Sequence, residues 1–188
     1  MRRSFVWVVA LLLVLLLVPS ASAGKPEGEQ LFTLIPGGPP SFEDFSPKGP
    51  EDADPCKHVR IVSYKASGFV ALGSGFCKNI DCTGLGPGAF SYVENINFNP
   101  GQSTATQQGN LTLDFGNGDT ISIRFVGRSE LTFREGDDPC SPTSQPAVTV
   151  SDQPWNITGG TGRFAGVHGN GTRYSEGWIT VYSGQIRP

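Results

Sequence analysis

Period-two alternation governs the chain from His58 onward, and it leaves little choice of fold. Phe90, Tyr92, Ile96 and Phe98 alternate with Ser91, Val93, Asn95 and Asn97. Leu111, Leu113 and Phe115 alternate with Thr112 and Asp114, and Ile121, Ile123 and Phe125 with Ser122 and Arg124. Leu131 and Phe133, Val148 and Val150, and Trp155 and Ile157 repeat the scheme. Successive side chains of a strand point to opposite faces, so each run predicts a half-buried strand. No helical period persists here. Gly116-Asn117-Gly118-Asp119 falls between two runs and predicts a hairpin, because glycine and asparagine tolerate positive φ. Many short strands separated by Gly, Pro and Asn turns predict an all-β domain, an antiparallel sandwich or a closed barrel.

The first residues obey a different rule. Met1-Arg2-Arg3 precedes an apolar run of 14 residues, Phe5 to Val18, and Pro19-Ser20-Ala21-Ser22-Ala23 follows. A basic start, an apolar middle and an Ala-x-Ala end predict a cleavable signal peptide over residues 1–23. As a helix the run spans roughly 21 Å, short of a bilayer core of about 30 Å. The expected mature chain starts at Gly24 without stable membrane insertion. Its expected location is extracellular, or periplasmic in a Gram-negative host.

Residues 24–55 carry a net charge of −5, whereas residues 56–188 balance ten acids against ten bases. No basic stripe suits a phosphate backbone, so nucleic acid is not an expected partner. Seven prolines and five glycines between Gly24 and Pro55 predict a flexible acidic leader. The Leu31–Ile35 patch is the one part of it able to dock. The expected domain is then residues 56–188.

Cys56, Cys77, Cys82 and Cys140 are an even set in a chain read as exported, which predicts two disulfides. Three connectivities exist. The short spacing favours Cys77–Cys82, which leaves Cys56–Cys140. A zinc site is disfavoured by the loose C-x4-C spacing and by the scattered His58 and His168.

The most distinctive segment is Trp155-Asn-Ile-Thr-Gly-Gly-Thr-Gly-Arg-Phe-Ala-Gly-Val-His-Gly-Asn-Gly-Thr172. Gly160-x-Gly162-x-x-Ala165 imitates a dinucleotide fingerprint, but Gly166, Gly169 and Gly171 forbid the helix that fingerprint requires. No cofactor is expected. Physically the segment reads as a strand, a tight glycine turn, an aromatic plug at Phe164 and a second strand. With the run from Trp178 to Ile186 it resembles the closing strands of the allene oxide cyclase-like and dirigent-like β-barrels. Those families carry a Gly-Gly-Thr-Gly-(Lys/Arg)-Phe turn, which Gly159, Gly160, Thr161, Gly162, Arg163 and Phe164 match throughout. Over residues 57–150 the likeness is one of pattern only. The resemblance implies an eight-stranded up-and-down barrel with an apolar lumen, exported members and, in some plant branches, stereochemical control of a cyclisation or radical coupling. The shared turn is a folding signature and carries no catalytic residue.

One residue breaks the alternation. Glu94 falls on the face of Phe90, Tyr92, Ile96 and Phe98. An inward carboxylate would have a raised pKa and is the candidate acid or ligand anchor. A β-bulge that turns it outward, or an ion pair at the rim, is the structural alternative. Arg60, Tyr64 and Tyr92 are the candidate ligand-binding partners, though Val59 and Ile61 leave the facing of the first strand open. Arg124 and Arg173 read as solvated, and His168 as polar surface. Asn110, Asn156 and Asn170 open glycosylation sequons. Two functions survive: a barrel binding a small apolar molecule, with cyclase- or isomerase-like chemistry an open question, and a non-catalytic extracellular module with a packed interior.

Overall fold

The computed structural model describes residues 29–44, 60–98, 104–133, 135–141, 147–176 and 179–188. The expected signal peptide lies outside them, as does Cys56. The strands run β1 (Glu29–Pro36), β2 (Ser41–Asp44), β3 (Arg60–Leu72), β4 (Gly88–Phe98), β5 (Thr104–Asp114), β6 (Thr120–Thr132), β7 (Ala147–Thr161), β8 (His168–Glu176) and β9 (Ile179–Arg187). From β3 to β9 each strand pairs antiparallel with the next, and β1 pairs with both β9 and β3. The result is a closed antiparallel barrel of eight strands, with β2 added along β3. Closure removes the exposed edges that an open sheet would leave.

The leader expected over residues 24–55 is corrected in its described part. Phe32 to Pro36 pair with Gly68 to Leu72, and Glu29 to Leu34 pair with Thr180 to Gly184. Leu31, Phe32 and Leu34 are buried, and Phe32 stacks on Tyr182 at 4.6 Å between ring centroids. Burying each such side chain is worth about 1.5–3 kcal/mol, which meets part of the cost of ordering the segment, and pairing on both edges adds to it. The period-two signal fails here because a register shift between Gln30 and Phe32 buries two consecutive residues. The boundary expected at residue 56 therefore falls too late.

One end of the barrel is stoppered by aromatic rings. Phe76, Phe115 and Phe164 meet with centroids 5.3–6.1 Å apart above Leu113 and Ile121. Phe164 ends a single 3-10 turn, Gly162–Phe164, made by the Gly-Gly-Thr-Gly-Arg-Phe segment. Gly162 has φ of +58°, and a Cβ there would come within 2.1 Å of Asp119 Oδ1. That oxygen instead accepts the Arg163 backbone N–H at 2.8 Å, while Asp119 Oδ2 accepts Arg163 Nε at 2.8 Å. Arg163 Nη1 donates to the Thr83 carbonyl at 3.1 Å. The glycine turn is thereby locked to the β5–β6 hairpin, whose Gly116, Asn117 and Gly118 all have positive φ as expected. Cys77 and Cys82 form a disulfide in the loop after Phe76. Cys140 is also disulfide-bonded, and its expected partner Cys56 lies outside the described residues.

Candidate functional site

The register of β4 carries no bulge against β3 or β5, so the alternation continues through Glu94 and turns it inward. Phe90, Tyr92, Glu94 and Ile96 are buried in sequence, while Ser91, Val93, Asn95 and Asn97 face out. Glu94 is 4% exposed. Its Oε1 accepts Arg173 Nη2 at 3.1 Å, and its Oε2 accepts the Tyr92 hydroxyl. Arg173 Nη1 in turn donates to Tyr92 Oη at 2.9 Å.

Arg173 overturns its solvated reading, being 1% exposed. Gly169, Gly171, Arg173 and Ser175 share one face of β8, and the two glycines hide its inward character from a hydropathy pattern. The guanidinium carbon lies 3.6 Å from the Phe125 ring centroid, a cation–π contact that stabilises the charge where water is excluded. Phe125 stacks on Tyr92 at 5.4 Å. Gly109, opposite both Glu94 and Phe125, makes the room: a Cβ at 109 would meet Phe125 Cζ at 2.2 Å.

Two glutamines extend the group. Arg173 Nη2 donates to Gln107 Oε1 at 3.3 Å, and Gln153 Nε2 donates to the same oxygen at 3.3 Å. Tyr64 stands opposite Glu94 in the β3–β4 register, half-buried, with its ring edge-on to Tyr92 at 5.5 Å. The structure thus brings together Glu94, Tyr92 and Tyr64 from the expected set. Arg60 stands opposite Phe98, and its side chain lies outside the described residues. Sequence reasoning missed Arg173, Gln107 and Gln153. The signal that finds them is charge balance: a carboxylate in an apolar interior demands a cation on another inward strand position.

Burial pushes the Glu94 carboxyl above its ordinary range, against the pull of Arg173. Burial likewise raises the Tyr64 hydroxyl, helped by the Glu94 charge, and raises Tyr182 despite nearby Arg173. The hydrogen bonding is incomplete. Gln107 Nε2, Gln153 Oε1 and Ser129 Oγ are buried without a partner, and Arg173 reaches the Tyr182 hydroxyl only in poor geometry. Each such atom costs about 1–3 kcal/mol if nothing satisfies it.

The layers of the interior follow from the register. The aromatic stopper gives way to the ion-paired layer, and beyond it lie Ile96, Ala105 and Leu131 with Val62 and Phe133 against them. An outer groove of about 700 Å³ is lined by Glu29, Lys78, Asn79, Gln185 and Arg187 among others. Its polar groups satisfy one another: Lys78 pairs with Glu29 at 2.9 Å, Asn79 Nδ2 with the Ile186 carbonyl at 3.2 Å, and Arg187 with Gln185 at 2.6 Å. The interior group is the better candidate because its donors are unspent. His168 is exposed, and no cluster of three metal-ligating side chains occurs among the described residues.

Fold and site together define a closed eight-stranded barrel with a hydrogen-bonded ion pair in its interior. No protein-family model, curated protein or solved structure matches the chain.

Proposed function

We propose that this barrel is an exported carrier or binding protein that takes a small, largely apolar molecule into its interior, with Glu94 and Arg173 anchoring the polar end of that molecule. The observation that carries the reading is the set of buried, unpartnered atoms around the pair, Gln107 Nε2 and Gln153 Oε1 above all. Buried polar groups in folded proteins are nearly always satisfied, so a group left short of partners is suited to a guest that supplies them. Ile96, Leu131, Val62 and Phe133 offer apolar contact beside it. The likeness of Gly159–Phe164 to the allene oxide cyclase-like and dirigent-like barrels supports the barrel architecture that this reading needs.

A packed, non-catalytic module is the second reading. It is favoured by the rings of Phe32, Phe76, Phe115, Phe164, Trp155 and Tyr182, which fill the stoppered half of the barrel. Titration with the neutral fluorophore N-phenyl-1-naphthylamine separates the two. Saturable enhancement at one site per chain, competed by apolar molecules and lost on Ile96→Trp, is the result expected of a binding barrel. No enhancement, with no small molecule retained in native mass spectra, selects the packed module.

A further inference from the structure

We infer that Glu94 is a charge-selectivity residue: by neutralising Arg173 it admits guests whose buried end is a neutral oxygen, a carbonyl or a hydroxyl, and excludes carboxylates. The inference rests on the interior-binding reading above and concerns which molecules that site accepts.

A guanidinium has five N–H donors. Arg173 gives Nη1 to Tyr92 and Nη2 to Glu94 and Gln107, its guanidinium also reaches the Tyr182 hydroxyl, and Nε has no partner of good geometry. Gln107 Oε1 already accepts twice, so its unpartnered Nε2 faces the same need as Arg173 Nε. On the acceptor side, Gln153 Oε1 is unspent. Gln107 Oε1 lies within 3.3 Å of both Arg173 Nη2 and Gln153 Nε2, so the three side chains form one connected group. What the group lacks is an oxygen that accepts from Gln107 Nε2. A carbonyl supplies that, and a hydroxyl supplies it while donating to Gln153 Oε1.

Charge decides the rest. Both Glu94 oxygens act as acceptors, one from Arg173 and one from Tyr92, which is the pattern of an ionised carboxylate. The pair is then neutral overall. A second carboxylate brought beside it would stand near Glu94 as an uncompensated buried anion, the costliest arrangement an interior can hold. An ammonium would face Arg173 with the same penalty. Removing the Glu94 charge while keeping its shape leaves Arg173 alone, and the preference should turn over.

The test uses four probes with one apolar body: decan-2-one, 1-decanol, decanoate and decylamine. Each competes with N-phenyl-1-naphthylamine on the purified protein at about pH 8, above the carboxylate range. For the unaltered protein, the ketone and the alcohol should displace the fluorophore at concentrations at least about tenfold below those of the two ions. In Glu94→Gln decanoate should become the strongest of the four. Binding of all four probes with equal strength overturns the inference, as does a preference for decanoate in the unaltered protein. Unchanged selectivity in Glu94→Gln does so too. Absence of fluorophore binding to the unaltered protein is a separate outcome, which removes the interior-binding reading itself. If Glu94→Gln does not fold, the four-probe ranking of the unaltered protein decides alone.

Discussion

Glu94 and Arg173 stand on strands diametrically opposed in the barrel, and their side chains meet across it at 3.1 Å. Counted either way round the closed sheet, β4 and β8 are four strands apart. The pair therefore ties two walls that share no backbone hydrogen bond. It also divides the interior into a stoppered half and a half lined by Ile96, Ala105 and Leu131.

Removing one partner of such a pair leaves the other buried and uncompensated. Arg173→Met should destabilise the protein by about 3–5 kcal/mol in urea unfolding. Adding Glu94→Gln to it should recover a substantial part of that loss, because the stranded carboxylate is gone. Additive losses in the double variant would show that the two side chains do not act as a pair.

Stability should also depend on pH through Glu94, with a sign that burial dictates. Its folded pKa is raised above the ordinary 4.5. The folded protein thus holds the Glu94 proton more tightly than the unfolded chain does. The stabilisation from that difference is complete below about pH 4.5 and is lost as pH rises through the folded value. Unfolding free energies of the unaltered protein and Glu94→Gln, measured across that window, should show the former losing ground as pH rises. The opposite slope would mean that Arg173 outweighs burial.

Asp119 carries the opposite sign. The Arg163 backbone N–H, and then its side chain, hold the carboxyl below the ordinary 3.8. Its contribution is present above about pH 3.8 and disappears as pH falls through the folded value. Asp119→Asn should melt earlier than the unaltered protein at neutral pH, and the two melting curves should converge in acid. A constant gap would trace the effect to packing instead of charge.

Closure by β1 predicts a measurable loss at Phe32, whose ring lies between Tyr182 and Phe76. Truncating a buried phenylalanine costs about 3–5 kcal/mol, so Phe32→Ala should lower the denaturation midpoint accordingly. A variant lacking residues 24–36 should bind hydrophobic dyes along the parted β3 and β9. Undiminished stability in both variants would place β1 outside the folding unit.

Strand content, the hairpin at Gly116–Asp119 and the inward Glu94 were legible because each leaves a mark of period two or of turn chemistry. Glu94 announced itself as the polar exception in an apolar row. Its partner did not, since an arginine that follows Gly169 and Gly171 has no apolar neighbours on its own strand to betray the face. Gln107 was masked in the same way, flanked on its face by Ala105 and Gly109. The β1 strand was hidden by its composition: prolines and glycines around Leu31–Ile35 read as spacer, and only pairing with two distant strands gives the segment a reason to order. Tertiary context, not local pattern, settles both cases.

The seam of the barrel joins the two ends of the chain, and this sets an order of events. A ribosome makes β1 well before β9, so the pairing of Leu34 with Thr180 has to wait for the whole of the intervening polypeptide. Until then the barrel is an open sheet with its wall missing, and Leu31, Phe32 and Leu34 form a sticky ribbon without its final partner. Contacts so distant in sequence form slowly. Gly37-Gly38-Pro39-Pro40 lies directly behind the ribbon, and prolines there limit how far any wrong pairing could spread. The arrival of β9 decides when this sheet can close into a barrel.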